Sequence, residues 1–478
     1  MHLRRWLLIF SCIMPIVFTW ALSNPMFGMN DEPAHMVRAQ GVLRGDFSDP
    51  YITDGLPGEQ YNCVFWQGQT ADCMDLTWLP EGTIQSSPTN NYPPLLHFIA
   101  GIPSLFFDGL LGAYLMRIWL ASICVAILAW AVKLLLDRSP TRWTLLGVSV
   151  GCTPMAIFCM SGVAPSGLTF AGAAVLWASG LNVFIPSSST VRRQSQVTFI
   201  AAALLFPFLR RDAFLWEVLI LFCLLSMVSL AHLKQLSKLR TTWVSLLGIF
   251  ASMVAVWTIW ASKATDSFVS NASSHFGGSW KSGIGQLYSY ILMLIGNFGW
   301  NSTWMSSEML VTCIITVCSV LLIALTSSNR YFTRGLLVTV ALFFVSPVAI
   351  GAVRSYYIQG RYLFPLWIGV FILAGQAIGK NFFPNVFERR FFKLVIGLEI
   401  VYQFFAFAQN QRRYTVGASG TWKFLGRSDV WHPPMMNNWF VLALIIISLS
   451  AIPIFGHKLI KEFTPMIDTQ EISESSQS

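Results

Sequence analysis

Apolar runs of roughly 17 to 22 residues recur from one end of this chain to the other, each about the length a helix needs to cross a bilayer. No soluble core absorbs so many. Only 11% of the 478 residues are charged, while Trp, Phe and Tyr supply 14%. The chain therefore reads as all-α, a polytopic transmembrane helix bundle. The first run, Trp6 to Leu22, follows Arg4 and Arg5 and reads as a retained anchor, although Ala21-Leu22-Ser23 resembles a signal-peptidase site. Further runs at 117–136, 143–160, 165–185, 197–209, 214–232, 243–262, 308–326, 335–351, 361–379, 392–408 and 437–455 bring the count to about twelve spans. Pro93 to Phe107 is apolar but short and opens on Pro93-Pro94, which suits a juxtamembrane or re-entrant helix.

With that assignment the positive-inside rule holds throughout. Arg4, Arg5, Lys133, Arg138, Arg142, Arg192, Arg193, Lys234, Arg330, Lys380, Arg389 and Lys458 all fall on the cytoplasmic side, and both termini are cytoplasmic. The net charge of +9 is mostly this orienting set, so it gives no reason to invoke nucleic acid. Residues 1–463 form one integral membrane domain with 23–116 as its first outer loop, and the polar tail 464–478 is expected to be disordered. Seven cysteines lie in apolar runs; Cys63 and Cys73 lie in the outer loop, where a disulfide between them is the expectation. Asn271-Ala272-Ser273 and Asn301-Ser302-Thr303 match glycosylation acceptors by chance.

The polar clusters that topology leaves unexplained share the outer side. Arg38, Arg210, Arg211, Arg354, Arg361, Arg412 and Arg413 stand near the mouths of spans, and none is needed to set orientation. Arginine keeps its charge when partly desolvated and grips phosphate with two parallel N–H donors, so the group points to an anionic ligand at the membrane surface. Taken singly, each serves equally well as an interfacial anchor. In the first loop, Pro33 predicts a helix start with Glu32 as N-cap, Asp31 just outside it, and helix to about Leu43. Glu32, His35 and Arg38 then recur at spacings of three on one face. That is an acid, a base and a cation together. It is equally the pattern of a capped amphipathic helix with an internal salt bridge.

Other chemistries fit poorly. Asp31 stands where a zinc-protease helix needs its first His, no Ser or Cys sits in a nucleophile elbow, and no glycine-rich phosphate loop is present. Outer-loop acids suit Mg2+ or Mn2+, but no spacing defines a ligand set, so no cofactor is assigned.

The order of motifs resembles the domain of unknown function 2142 family of multi-pass bacterial membrane proteins. The matching pieces are Asp31-Glu32-Pro33-Ala34-His35 with Arg38, Tyr92-Pro93-Pro94-Leu95, Phe298-Gly299-Trp300, Gln359-Gly360-Arg361-Tyr362, Arg412-Arg413-Tyr414 and Trp431 with Pro433-Pro434. That family resembles the GT-C class of membrane glycosyltransferases, which take sugars from polyprenyl-phosphate carriers. The resemblance implies an acidic first outer loop after helix one, a juxtamembrane segment, and a first-loop Asp as base. Where many members carry an Asp after Gly299-Trp300, this chain has Asn301-Ser302-Thr303. The expectation is inverting transfer of a hexosyl or pentosyl group to a cell-envelope glycan or lipid acceptor, outside a bacterial plasma membrane. Asp31 would be the base, with Glu32 or His35 orienting it. Arg361, Arg412 and Arg413, then Arg210, Arg211, Arg354 and Arg38, would hold the phosphate. The alternatives are a transporter or flippase of lipid-linked saccharides, a surface-glycan polymerase or ligase, and a non-catalytic assembly subunit.

Overall fold

A computed structural model of the chain describes residues 2–54, 56–57, 63, 69–74, 76–185, 189–229, 234–235, 237–238, 240–261, 280–354, 359–378, 382–427 and 429–475. Asn271-Ala272-Ser273 and Lys380 lie outside these residues. The described chain is helical almost throughout, as its hydropathy demands. Its helices are α1 (His2–Ser23), α2 (Glu32–Leu43), α3 (Leu95–Gly101), α4 (Gly109–Arg138), α5 (Arg142–Gly151), α6 (Pro154–Met160), α7 (Pro165–Phe184) and α8 (Ser189–Leu205). There follow α9 (Ala213–Ser226), α10 (Arg240–Val256), α11 (Trp280–Gly296), α12 (Ser307–Ser327), α13 (Arg330–Arg354), α14 (Phe364–Ala377), α15 (Asn385–Val416) and α16 (Asn438–Ser475). Two small antiparallel hairpins complete it, β1 (Tyr51–Asp54) with β2 (Glu81–Gln85), and β3 (Asn297–Phe298) with β4 (Thr303–Trp304).

Among the described residues, eight helices are long and apolar enough to cross a membrane, or nine if α5 and α6, bent by 72° at Cys152-Thr153, make one crossing. The other three expected crossings fall on shorter helices: α8 has 17 residues, and α9 and α14 have 14 each. All of α14 is buried, so its neighbours rather than lipid meet its surface and its length is not tied to bilayer thickness. Two stretches differ from the sequence reading. Residues 280–296, left between the runs 243–262 and 308–326, form α11, which packs on α6 and α13. The tail expected to be disordered continues as α16 to Ser475; beyond Pro465 it contains no glycine or proline to break a helix.

Small residues let the helices approach closely, as lipid-facing bundles require. A Cβ on Gly147 of α5 would lie 2.4 Å from the Phe371 carbonyl oxygen of α14, and one on Gly369 would lie 2.1 Å from the Trp177 ring of α7. The indole Nε1 of Trp177 also donates to the Pro365 carbonyl at 2.8 Å, so α7 and α14 are joined by both shape and hydrogen bond.

Charged groups collect at the two ends of this bundle. At one end Arg5 meets Asp137 at 3.1 Å, Lys133 meets Asp137 at 2.8 Å, Arg4 meets Glu462 at 2.7 Å and Arg142 meets Glu388 at 3.0 Å. These cations belong to the set that the charge rule places in the cytoplasm. α1 leads from that end to the other, where the first long loop begins. There α2 packs on α3, with Gly101 so close to α2 that a Cβ would sit 2.4 Å from the Ala39 carbonyl oxygen. β1 crosses the opposite side of α2, with Tyr51 against Gly41. Cys63 and Cys73 in the same loop are joined by a disulfide, with Cα atoms 6.1 Å apart.

Because Gly147 meets backbone rather than a flexible side-chain tip, Gly147→Val should destabilise the bundle by about 1–3 kcal/mol. Thermal unfolding in detergent will measure it. An unchanged midpoint would contradict the close packing of α5 on α14.

Candidate functional site: an aspartate among arginines

Asp31 is the N-cap of α2, and its backbone is left-handed, φ 63° and ψ 2°, with no capping bond from its side chain. Asp is one of the few non-glycine residues that tolerate this conformation. Glu32 is thus the first helical residue, one place later than its expected N-cap role, and the shift separates the two carboxylates. The Asp31 side chain stays 49% exposed. That of Glu32 turns inward and is fully buried.

Glu32 is clamped by Arg117 of α4, Nε to Oε1 at 2.7 Å and Nη2 to Oε2 at 2.5 Å, while the Val163 N–H donates to Oε1 at 3.1 Å. The same guanidinium donates to the carbonyls of Ala21 at 3.2 Å, Asn24 at 3.0 Å and Pro25 at 2.8 Å, at the end of α1. Glu32 therefore pairs with Arg117 rather than Arg38, and the internal salt bridge is not formed. A lone arginine opening an apolar run was the signal for this pair, since a charge at that depth needs a partner.

Arg361 reaches Asp31 from 330 residues away, Nη2 to Oδ2 at 3.1 Å. Its side chain is 5% exposed, and its Nε is buried without a partner among the described residues. It stands in the short 3-10 turn Gly360–Leu363, which is drawn against α11 because Gly360 leaves no room for a Cβ beside the Tyr290 carbonyl, 2.3 Å away. Arg210 lies over the Tyr362 ring at 3.8 Å and forms an ion pair with Asp212 at 2.7 Å. Arg211 lies 5.4 Å over the Tyr92 ring. Burial pushes the Tyr92 hydroxyl up, opposed by Arg210 and Arg211 and assisted by Tyr362 and Asp31. One neighbourhood thus holds Asp31, Arg361, Arg210, Arg211, Tyr92 and Tyr362. The two tyrosines stood in recognised motifs without an assigned role; their aromatic faces carry the arginines.

His35 lies behind Asp31 and is buried, its Nδ1 3.0 Å from Nε2 of His97 and its ring edge-on to Tyr92. Burial lowers His35 to about 4, with Arg361, Arg38 and Arg210 acting the same way and Asp31 opposing them. His97 is lowered too, first by burial and then by His35. Arg38 donates Nη2 to the Tyr92 carbonyl. The remaining arginines lie elsewhere. Arg412 is held by the Ala418 carbonyl at 2.7 Å and stacks on Trp422, whereas Arg413 is buried, bonded to the Gln69 carbonyl at 2.9 Å and to Ser302 at 3.4 Å. Neighbours on one helix point about 100° apart, so the pair cannot share one target. Arg354 ends α13, and its side chain lies outside the described residues. Among the described residues no three His, Cys, Asp or Glu side chains converge as a metal-ligand set would.

Breaking the buried Glu32–Arg117 pair should cost about 3–5 kcal/mol in Glu32→Gln. Asp31→Asn at the half-exposed neighbour should cost less than about 1 kcal/mol, so unfolding midpoints in detergent should separate the two variants. His35 also makes stability depend on pH. Its proton affinity is lower folded than unfolded, so stability is full above its ordinary value of 6.5 and declines as pH falls toward about 4. The loss from His35 should approach about 3 kcal/mol, and His35→Gln should make the unfolding-versus-pH profile shallower across that window, with His97 supplying the slope that remains.

The family described as "Predicted membrane protein (DUF2142)" matches residues 15–370. No curated protein matches the chain. Two solved structures share its overall outline, both of ArnT from Cupriavidus metallidurans. The one bound to undecaprenyl phosphate is 13% identical, covers 94% of this chain and 78% of its own, and has a TM-score of 0.46. The apo form is 12% identical, with 95% and 77% covered and a TM-score of 0.48. A likeness of this degree transfers neither a site nor an activity.

Proposed function

The chain belongs to the DUF2142 family of membrane proteins, and on that premise we propose that it is an inverting glycosyltransferase using a polyprenyl-phosphate sugar as donor, with Asp31 as its base. One observation carries the reading: a half-exposed carboxylate held by a buried arginine, with Arg210 and Arg211 beside it, in an otherwise apolar chain. The cations outnumber the acids there, and an anionic ligand is what the surplus fits.

In this mechanism the acceptor hydroxyl lies within hydrogen-bond reach of Asp31, which takes its proton. The acceptor oxygen bonds to the anomeric carbon as the bond from that carbon to the phosphate oxygen breaks, and the polyprenyl phosphate leaves with the electron pair. Direct displacement inverts the anomeric centre. Arg361 holds Asp31 with Nη2 and has Nε free among the described residues to meet the departing oxygen. Arg210 and Arg211 meet the remaining phosphate charge, and preorganised donors of this kind supply much of the rate. Tyr92, protonated because it is buried, adds a hydroxyl donor. Glu32 has no step to perform, since both its oxygens are committed to Arg117 and Val163. The site faces the outside of a bacterial plasma membrane in this reading, opposite the Arg5–Asp137 end.

Asp31→Asn should abolish one envelope glycan modification while protein level stays normal and the polyprenyl-phosphate sugar accumulates. Arg361→Ala should lower turnover about 100-fold or more. Normal glycans in cells carrying well-expressed Asp31→Asn would sink the catalytic reading and leave transport or assembly in its place.

A further inference from the structure

Arg38 has no part in the mechanism above, yet it is the cation the fold leaves least satisfied. Only 2% of it is exposed, and of its three nitrogens only Nη2 is held, by the Tyr92 carbonyl. Nε and Nη1 are enclosed without a partner among the described residues. The Tyr51 hydroxyl is likewise buried and unpartnered. Its ring occupies the place where a Cβ on Gly41 would lie, 2.4 Å from Cδ1. Among the described residues Tyr51 and Tyr92, rather than a carboxylate, make up the electrostatic surroundings of Arg38. The acids nearest Tyr51 are Asp49 and Asp46, and they receive the N–H groups of Ser87 and Ser48. Asn91, beside Tyr92, also has an unpartnered buried amide oxygen; with the amide turned over, an NH2 donor would stand there.

A buried guanidinium without a counter-charge is among the least favourable arrangements in a folded chain, and two free N–H donors beside a free hydroxyl have the composition of an oxyanion cradle. We propose that Arg38 and Tyr51 form a second oxyanion subsite, which binds a phosphate, sulfate or carboxylate carried by the acceptor. The proposal rests on the glycosyl-transfer reading only in calling that ligand the acceptor. Two features separate it from the donor phosphate. Arg38 lies seven residues beyond Asp31, about 10 Å along the helix backbone, with the buried His35 between them. The side of α2 it occupies also matters. Ala39 and Leu43 face α3, whose Phe98 and the following Leu105 and Phe106 are exposed as lipid-facing residues would be. Gly41, half a turn round, faces Tyr51 on the hairpin. The subsite therefore lies on the hairpin side of α2, away from that apolar edge, and its ligand would be a water-borne group whose hydroxyl extends to Asp31.

Calorimetric titration of the full-length protein in detergent tests this, with inorganic phosphate and a short-chain polyprenyl phosphate as separate probes. Inorganic phosphate should still bind Arg361→Ala, and should bind Arg38→Gln weaker by about tenfold or more. Polyprenyl phosphate should show the reverse, lost in Arg361→Ala and unchanged in Arg38→Gln. Tyr51→Phe, which removes one hydroxyl and keeps the packing, should weaken inorganic phosphate severalfold and carries the test if Arg38→Gln does not fold. Unchanged phosphate binding in both Arg38→Gln and Tyr51→Phe would overturn the subsite, leaving a water in its place. Weakened polyprenyl phosphate in Arg38→Gln would overturn its assignment to the acceptor. These titrations need no turnover. Should Asp31→Asn leave glycans intact, the transfer reading falls while phosphate binding at Arg38 stands or falls by itself.

Discussion

Everything at the Asp31 end of the bundle hangs on the buried pair between Glu32 and Arg117. One guanidinium takes both oxygens of Glu32 and three carbonyls at the end of α1, so a single side chain satisfies the acceptors left over where α1 ends and fixes where α2 begins. The carboxylate sits at the first turn of α2, where the helix dipole favours negative charge. It also accepts from the backbone of Val163, which ties the loop before α7 to the same point. α1, α2, α4 and α7 are thereby held together by one charge pair. Such a pair contributes little net stability compared with apolar packing; what it secures is geometry. With Glu32 fixed, the preceding residue has few places to go, and its left-handed backbone directs Asp31 toward Arg361.

The surroundings of Asp31 are also shaped by what glycine leaves out. Gly360 presses the Arg361 turn against α11, and Gly28 and Gly299 both approach the Tyr414 hydroxyl so closely that a Cβ would lie within 3.0 Å of it. That hydroxyl donates to the Gly28 carbonyl at 2.8 Å, while Trp300 donates to the Phe27 carbonyl at 2.9 Å. The loop carrying Asp31 is therefore held on one side by Arg117 and on the other by the β3–β4 hairpin and the end of α15. Arg413 belongs to that second support. Its bonds to Gln69 and Ser302 knit the first loop to the hairpin.

Hydropathy made most of the helices readable, because a lipid-spanning segment declares itself in consecutive residues. That Arg5, Lys133 and Arg142 gather apart from Arg210 and Arg361 was readable for a related reason, since topogenic cations follow a statistical rule along the chain. Pair identity was not. Asp31 and Arg361 stand 330 positions apart, and nothing local to either names the other. Arg412 and Arg413 looked like one double cation because they adjoin, but a helix sends adjacent side chains to different faces. Glu32 and Asp31 looked like one acidic pair for the same reason, and a one-residue uncertainty in where the helix starts decided which of them is buried. Sequence spacing gave the right face for His35 and Arg38. It did not show that the face is covered by Tyr92 and the hairpin.

The contrast among the arginines follows from their surroundings. Arg117 has every described donor engaged and a carboxylate against it, so nothing remains to bind a ligand. Arg361 shares one carboxylate and keeps a donor free, whereas Arg38 has no carboxylate partner and keeps two, all among the described residues. A fold selected only for stability would not retain the last, since a buried cation without its counter-ion disfavours the folded state. Local rules are broken where function requires it, so the degree to which each buried arginine is satisfied among the described residues orders them: Arg117 is fully engaged, Arg361 shares a carboxylate and keeps one donor, and Arg38 keeps two.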